Sequence, residues 1–185
     1  MDSGSEAYKR FLGGDKNAMA ELIREYRDGL IMYLNTIVRD ISLAEELAEE
    51  TFVKLGTRRP KDKGSGSFKT WLYTIGRNMA IDCLRRQSKN ASVPIEDVEQ
   101  SLAEEEELEE LMIKDERRIA VHKALEKLNE NYRQVLWLTY FEDLTAKQAA
   151  MVMKKNPHAV EVMLSRAKEA LRNQLRKDGF EFEDL

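Results

Sequence analysis

A single cysteine, Cys83, and two histidines far apart in the chain, His122 and His158, leave little material for thiol or metal chemistry. One thiol cannot close an internal disulfide, and the histidines lack ligand spacing, so neither a metal site nor a Cys-His nucleophile pair is expected. Cys83 lies among apolar positions and reads as packing. No run of about 18 apolar residues occurs, and the opening MDSGSEAYKR has neither a basic start nor an apolar stretch. Membrane insertion and a signal peptide are therefore not expected, and residence in the cytoplasm is. Alternating β-branched runs are also scarce, and glycines fall between long segments of 3.6-residue period, so the expected fold is all-α. No catalytic constellation is found; the chain is not expected to be an enzyme or to need a cofactor.

What the sequence does have is charge arranged in blocks, which the net charge of -4 conceals. Between Lys54 and Lys89 the basic residues, among them Arg58, Arg59, Lys61, Lys63, Lys69, Arg77, Arg85 and Arg86, face only Asp62 and Asp82. Glutamates from Glu96 to Glu116 then dominate, and Lys147, Lys154, Lys155, Arg166, Lys168, Arg172, Arg176 and Lys177 restore positive charge. Two basic modules flank an acidic connector. The expected organisation is two small helical domains, residues 1–90 and 117–182, joined by a flexible acidic linker over 91–116. A long polar tether implies variable or regulator-dependent packing between them.

Helix signals follow in order. A short helix around Glu6 to Leu12 ends at Gly13-Gly14, and Asp15 caps a long helix with Leu22, Tyr26, Leu30, Tyr33, Leu34 and Ile37 on one stripe. Ser42 with Glu45 reads as a capping box opening a third helix, expected to stop near Gly56. GTRRPKDKGSGS reads as an exposed loop. In FKTWLYTIGRNMAIDCLRRQ, Phe68, Trp71, Leu72, Ile75, Met79 and Leu84 make a core stripe, leaving Arg77, Asn78, Arg85 and Arg86 on a basic, amide-bearing face. Such a face is either an ordinary solvated one or a platform for a polyanion. In the second domain Ile119, Val121, Leu125, Leu128, Tyr132, Val135, Leu136, Leu138 and Tyr140 are expected in the core. Thr145 caps a short helix, Lys154-Lys155-Asn156 forms a turn, and Asn156 caps a helix with Pro157 at its first position. This is helix-turn-helix spacing, whose second helix normally enters a DNA major groove, although any tight helical hairpin can imitate it.

These segments together resemble a known family. AELIREYRDGLIMYL, AEELAEETFVKL and FKTWLYTIGRNMAIDCLRR are similar to region 2 of the small bacterial sigma factors of the extracytoplasmic-function (ECF) group, in the sigma-70 family. LEKLNENYRQVLWLTYFEDLTAKQAAMVM and AVEVMLSRAKEAL are similar to their region 4. The resemblance implies a promoter-specificity subunit of RNA polymerase. Its partners would be core polymerase, met at the clamp of the largest catalytic subunit by Glu45, Glu46, Glu49 and Glu50, and promoter DNA, both duplex and single-stranded; an anti-sigma factor is left open. The melted -10 element would be held by Arg58, Arg59, Lys61, Lys63, Phe68, Trp71, Arg77, Asn78, Arg85 and Arg86. Asn78 would contact a base, the arginines the backbone, and the loop from Arg58 to Phe68 would wall the pocket of a flipped base. Trp71 is read as packing or as a strand-melting wedge. The -35 element would be held by Lys155, His158, Val162, Arg166, Lys168 and Arg172. Glu161 stands where the family usually has Lys or Arg, and Lys154 replaces a turn glycine. A free helix-turn-helix regulator, or an interaction module acting without DNA, are the alternative functions.

Overall fold

The computed structural model describes residues 2–60, 66–90 and 116–180. Among these residues the chain forms eight helices and no strand. The first four are α1 (Ser3–Leu12), α2 (Lys16–Val38), α3 (Ile41–Arg58) and α4 (Phe68–Asn90). The other four are α5 (Glu116–Glu126), α6 (Glu130–Tyr140), α7 (Ala146–Met153) and α8 (Pro157–Lys177). The linker expected over 91–116 lies outside the described residues except for Glu116, which begins α5.

Side-chain caps fix where most helices begin. Asp15, Asn129, Thr145 and Asn156 each accept a backbone N–H from the first turn they precede, and Thr145 with Gln148 completes a reciprocal capping box. The third helix departs from expectation. Its cap is Asp40, whose carboxylate accepts from Leu43 N at 3.0 Å, and Ser42 lies inside the first turn. Arg39 in the left-handed conformation ends α2 and delivers the chain directly to Asp40, which leaves no room for a later start. At its other end α3 runs through Gly56 to Arg58, so the loop begins later than Gly56 suggests.

In the first bundle α2 is the central element, packing on α1, α3 and α4. Leu22, Leu30, Tyr33, Leu34, Leu55, Phe68, Leu72 and Tyr73 are completely buried. Each contributes on the order of 2 kcal/mol through removal from water. Gly76 of α4 passes close to α2; a methyl there would lie 3.0 Å from Leu30 and 3.5 Å from Leu34. In the second bundle Leu125, Val135, Leu136, Leu138, Val152, Val160 and Ala167 form the core. Ile119 and Val121 are only half-buried, and Tyr140 is 57% exposed instead of internal. Its ring supports the ammonium of Lys168, 5.5 Å from the ring centroid.

The two bundles share one continuous hydrophobic core. Helix α4 packs on α7, and α2 packs on α6. The seam is also bonded by polar groups. Buried Arg133 of α6 donates through Nε to the Thr36 carbonyl at 2.8 Å, and through one terminal nitrogen to Glu126 and Leu128 carbonyls. Burial lowers the pKa of this guanidinium, with the nearby charge of Arg39 adding to the effect.

Candidate nucleic-acid and polymerase interface

Helix α3 shows an outward row of carboxylates because its apolar residues, Ala44, Leu47, Ala48, Phe52 and Leu55, recur on the opposite side. Glu45, Glu46, Glu49 and Glu50 are all exposed, and Val53, 61% exposed, extends the row by one turn. Glu49 meets Arg27 of α2 at 3.7 Å, a contact between exposed groups. The row is therefore a mostly acidic strip with an apolar end, oriented away from the core.

Helix α4 is anchored at its first residue. Asp2 accepts through Oδ1 from Ser5 N at 2.9 Å and through Oδ2 from Phe68 N at 3.0 Å, so one carboxylate caps α1 and satisfies the first N–H of α4, where Ser67 Oγ accepts from Thr70 N at 3.2 Å. Partial burial pushes the Asp2 pKa up, but the donations from Phe68 and Ser5 outweigh it and hold the carboxyl below its ordinary value. Gly4 makes this approach possible; a Cβ there would sit 2.6 Å from the Phe68 ring and 2.7 Å from the Tyr26 hydroxyl. The Tyr8 ring lies tilted against Phe68 and Trp71 at 5.8 and 5.2 Å, and its hydroxyl donates to the Pro60 carbonyl at 2.8 Å.

The residues expected to hold a melted strand separate into groups. Arg85 and Arg86 are exposed on the last turns of α4, with Asp82 3.6 Å from Arg85, and Asn78 is half-buried about two turns before them. Arg58 and Arg59 are exposed at the end of α3, where the Arg59 guanidinium lies 5.5 Å from the Phe11 ring centroid. Lys61 and Lys63 lie outside the described residues. Trp71 is half-buried against Tyr8 and Phe68. Phe68 is a correction: it is completely buried among Tyr8, Tyr26 and Trp71, so it props the aromatic wall and presents no surface to a base. Arg77 is also placed differently from a free backbone contact. Its Nε donates to Gln134 Oε1 of α6 at 3.0 Å.

In the second bundle α7 and α8 form a helix-turn-helix. The turn passes through Lys154 at φ 53°, a left-handed position that glycine would occupy with less strain. His158, Val162, Arg166 and Arg172 are exposed on α8, whereas Lys155 and Lys168 are half-buried. Beside them Tyr132, Ala159, Val162, Met163 and Arg166 line an open depression of about 310 Å³. Glu161 is exposed on the same first turns, 3.8 Å from His158. Facing a groove, a carboxylate is repelled by phosphate but can accept from a cytosine amine.

The sequence did not reveal the polar groups between the bundles. Glu142 is 7% exposed, and its carboxylate receives Tyr73 Oη at 2.7 Å, Trp137 Nε1 at 3.3 Å and the Lys69 ammonium at 2.8 Å. Lys69 also donates to the Glu142 carbonyl at 2.9 Å. Fully buried Gln134 accepts from Tyr33 Oη at 3.1 Å as well as from Arg77. Burial and the Glu142 charge together raise the Tyr73 pKa far above the ordinary phenol value. A glutamine directly before the apolar run VLWL was the one available signal; its partners Tyr33 and Arg77 lie 101 and 57 residues away.

Residues 22–90 match the model for Sigma-70 region 2, and residues 118–171 match that for Sigma-70, region 4. The chain is 30% identical over 184 residues to the RNA polymerase sigma-H factor of Pseudomonas aeruginosa, covering 95% of each. It is 25% identical over 176 residues to the ECF RNA polymerase sigma factor SigW of Bacillus subtilis, covering 91% of this chain and 94% of that one. The fold is shared with CnrH, solved in complex with the cytosolic domain of CnrY, at a TM-score of 0.67 and 21% identity, covering 96% and 99% of the two chains. It is also shared with RpoE of Bartonella quintana, solved with the anti-sigma factor NepR, at a TM-score of 0.64 and 19% identity, covering 85% and 96%. The matches to both regions, with a relative 30% identical over 95% of the chain, place it in the sigma-70 family, as an RNA polymerase sigma factor of the extracytoplasmic-function group.

Proposed function

We propose that this sigma factor divides its work among three helices. The acidic row of α3, Glu45, Glu46, Glu49 and Glu50 with Val53 at its end, docks on the basic clamp of the largest catalytic subunit of core RNA polymerase. Opposite charges there steer association and fix register. Helix α4, with Asn78, Arg85 and Arg86 toward its C-terminal end and with Trp71 in its first turn, holds the melted strand of the -10 element together with Arg58 and Arg59 at the end of α3. Phosphate contacts supply affinity, and stacking of about 1–3 kcal/mol per base offsets the cost of unstacking. Helix α8 enters the major groove at the -35 element with Lys155, His158, Val162, Arg166, Lys168 and Arg172 nearby. The protein works in the cytoplasm, without covalent chemistry of its own, and an anti-sigma factor is the class of regulator that fits it, since the similar fold of RpoE of Bartonella quintana was solved with one.

The observation that carries this reading is the exposed acidic row on α3 immediately beside the basic helix α4, two faces of opposite sign that suit two different partners. The test is a titration of labelled full-length protein against purified bacterial core polymerase, repeated with Glu46→Lys and Glu50→Lys together. Tight binding that disappears in the double variant supports the reading. Absence of binding to core, with salt-sensitive binding of the protein alone to duplex DNA, would replace it by a free helix-turn-helix regulator.

A further inference from the structure

Helix α1 lies before residue 22, where the match to region 2 begins, yet its N-cap and its buried tyrosine bond to residues on either side of the connection between α3 and α4. The Asp2 carboxylate accepts from Phe68 N at 3.0 Å, and the Tyr8 hydroxyl donates to the Pro60 carbonyl at 2.8 Å. The chain from Pro60 to Phe68 can span about 26–29 Å at full extension, so its length alone leaves the gap between these two points undetermined. Asp2 and Tyr8 are joined by helix, and their separation along the sequence amounts to about 9 Å of axis at about 1.5 Å per residue. A hydrogen-bonded helix does not stretch as an extended chain does. Helix α1 therefore acts as a strut of set length between the end of α3 and the start of α4.

We infer that α1 is a positioning element of the strand site, in which Asp2 and Tyr8 fix where Arg58 and Arg59 stand relative to Trp71, a role that rests on the reading of those three residues as strand contacts. The chain leaves α3 through Arg59 in the left-handed conformation, at φ 44°. That conformation is unfavourable for a residue with a Cβ and persists where the surroundings over-determine it. Here the surroundings include α1: the Phe11 ring centroid lies 5.5 Å from the Arg59 guanidinium, and Tyr8 holds the carbonyl of the very next residue. Tyr8 is itself held, being only 3% exposed, with ring centroids 6.2 Å from Phe11, 5.8 Å from Phe68 and 5.2 Å from Trp71. One buried ring thus touches the support of Arg59 on one side and Trp71 on the other. Gly4 sets the register of α1 against α4, because a Cβ there would meet the Phe68 ring at 2.6 Å. Arg58 and Arg59 are exposed and Trp71 is half-buried, so these three can meet a strand while Tyr8, beneath them, acts only through the residues it holds. Apparent affinity for a strand then falls with the fraction of molecules that keep both ends of the strut bonded.

The test uses holoenzyme, the full-length chain with purified bacterial core polymerase, and the single strand that it enriches from a random pool of about 12 nucleotides, with core polymerase alone as the baseline. The quantity measured is the ratio of affinity for the enriched strand to affinity for the unselected pool. Tyr8→Phe removes the hydroxyl and keeps the ring, and Asp2→Ala frees the other end. Each should lower the ratio about five-fold, the worth of one net hydrogen bond, while core binding and circular dichroism stay as in wild type. In a background of Arg58→Gln with Arg59→Gln, Tyr8→Phe should have no further effect, since it acts through those guanidinium groups; a merely structural loss would persist there. An unchanged ratio in either variant, a Tyr8→Phe effect that persists in full without the two guanidinium groups, or core binding that falls in parallel would each overturn the inference. In those cases enrichment by the wild type leaves the proposed function standing and removes only the strut. A wild-type holoenzyme that enriches no strand beyond core alone would overturn the strand-site reading and the inference with it.

Discussion

Replacing Asp2 by alanine removes one carboxylate that serves two helices. Its Oδ1 satisfies Ser5 N at the start of α1, and its Oδ2 satisfies Phe68 N at the start of α4, at 2.9 and 3.0 Å. A lost N-cap costs about 1 kcal/mol, and a negative charge at a helix N-terminus adds a few tenths to about 1 kcal/mol. The expected loss is therefore about 2 kcal/mol, which for a chain of this size lowers the melting temperature by roughly 4–8 °C. Scanning calorimetry of wild type, Asp2→Ala and Asp2→Asn would measure it. Asparagine still accepts a hydrogen bond but carries no charge, so its loss should be less than half that of alanine. The pH dependence has a defined sign. The folded-state pKa of Asp2 lies below the ordinary 3.8, so its contribution is complete above that value and fades as pH falls through the folded one. The gap between wild type and Asp2→Ala should narrow accordingly in acid. A melting shift under about 1 °C at neutral pH would refute the double-cap argument. The consequence extends to function, because the capped residue Phe68 supports Trp71 and sets the start of the proposed strand-binding helix.

Three further outcomes are expected. Removing Arg85 and Arg86 together should lower the slope of log affinity against log salt by about 1.4 for a single strand, as expected for two lost phosphate contacts; an unchanged slope would place the strand elsewhere. Lys154→Gly relieves the left-handed position at φ 53° and should raise the melting temperature by about 2–4 °C in calorimetry, whereas a fall would mean that the lysine stem contributes packing. His122 lies 5.6 Å from Trp137 and 5.2 Å from Phe141, and burial, with the charge of Arg118, keeps its pKa below the ordinary 6.5. The neutral ring's contribution is present above pH 6.5 and is lost as pH falls through the folded value, so melting temperatures of His122→Phe should decline less steeply than wild type below pH 6.5. Parallel declines would refute that assignment.

The elements legible in the sequence are those set by near neighbours. Helical periodicity in Leu22, Tyr26, Leu30 and Leu34, the caps Asp15, Thr145 and Asn156, and Pro157 at a first helical position depend on residues a few places apart, and all form as read. Ser42 was misplaced because Asp40, two residues earlier, is an equally good cap and follows a left-handed turn that the sequence does not announce. Tyr140 fell on the apolar stripe of α6 yet faces outward, because periodicity locates a stripe without showing where the neighbouring helix ends. The helix α4 illustrates the limit best. Its sequence alone determined a buried stripe and a basic face, since both follow from a period of 3.6 residues. Only the tertiary structure decided that Phe68 is sealed within the first bundle and that Lys69, Tyr73 and Arg77 meet Glu142 and Gln134 of the second. Those partners lie 57 to 73 positions away. Local chemistry dictates which side chains a helix displays; which of them remain free depends on what folds against it.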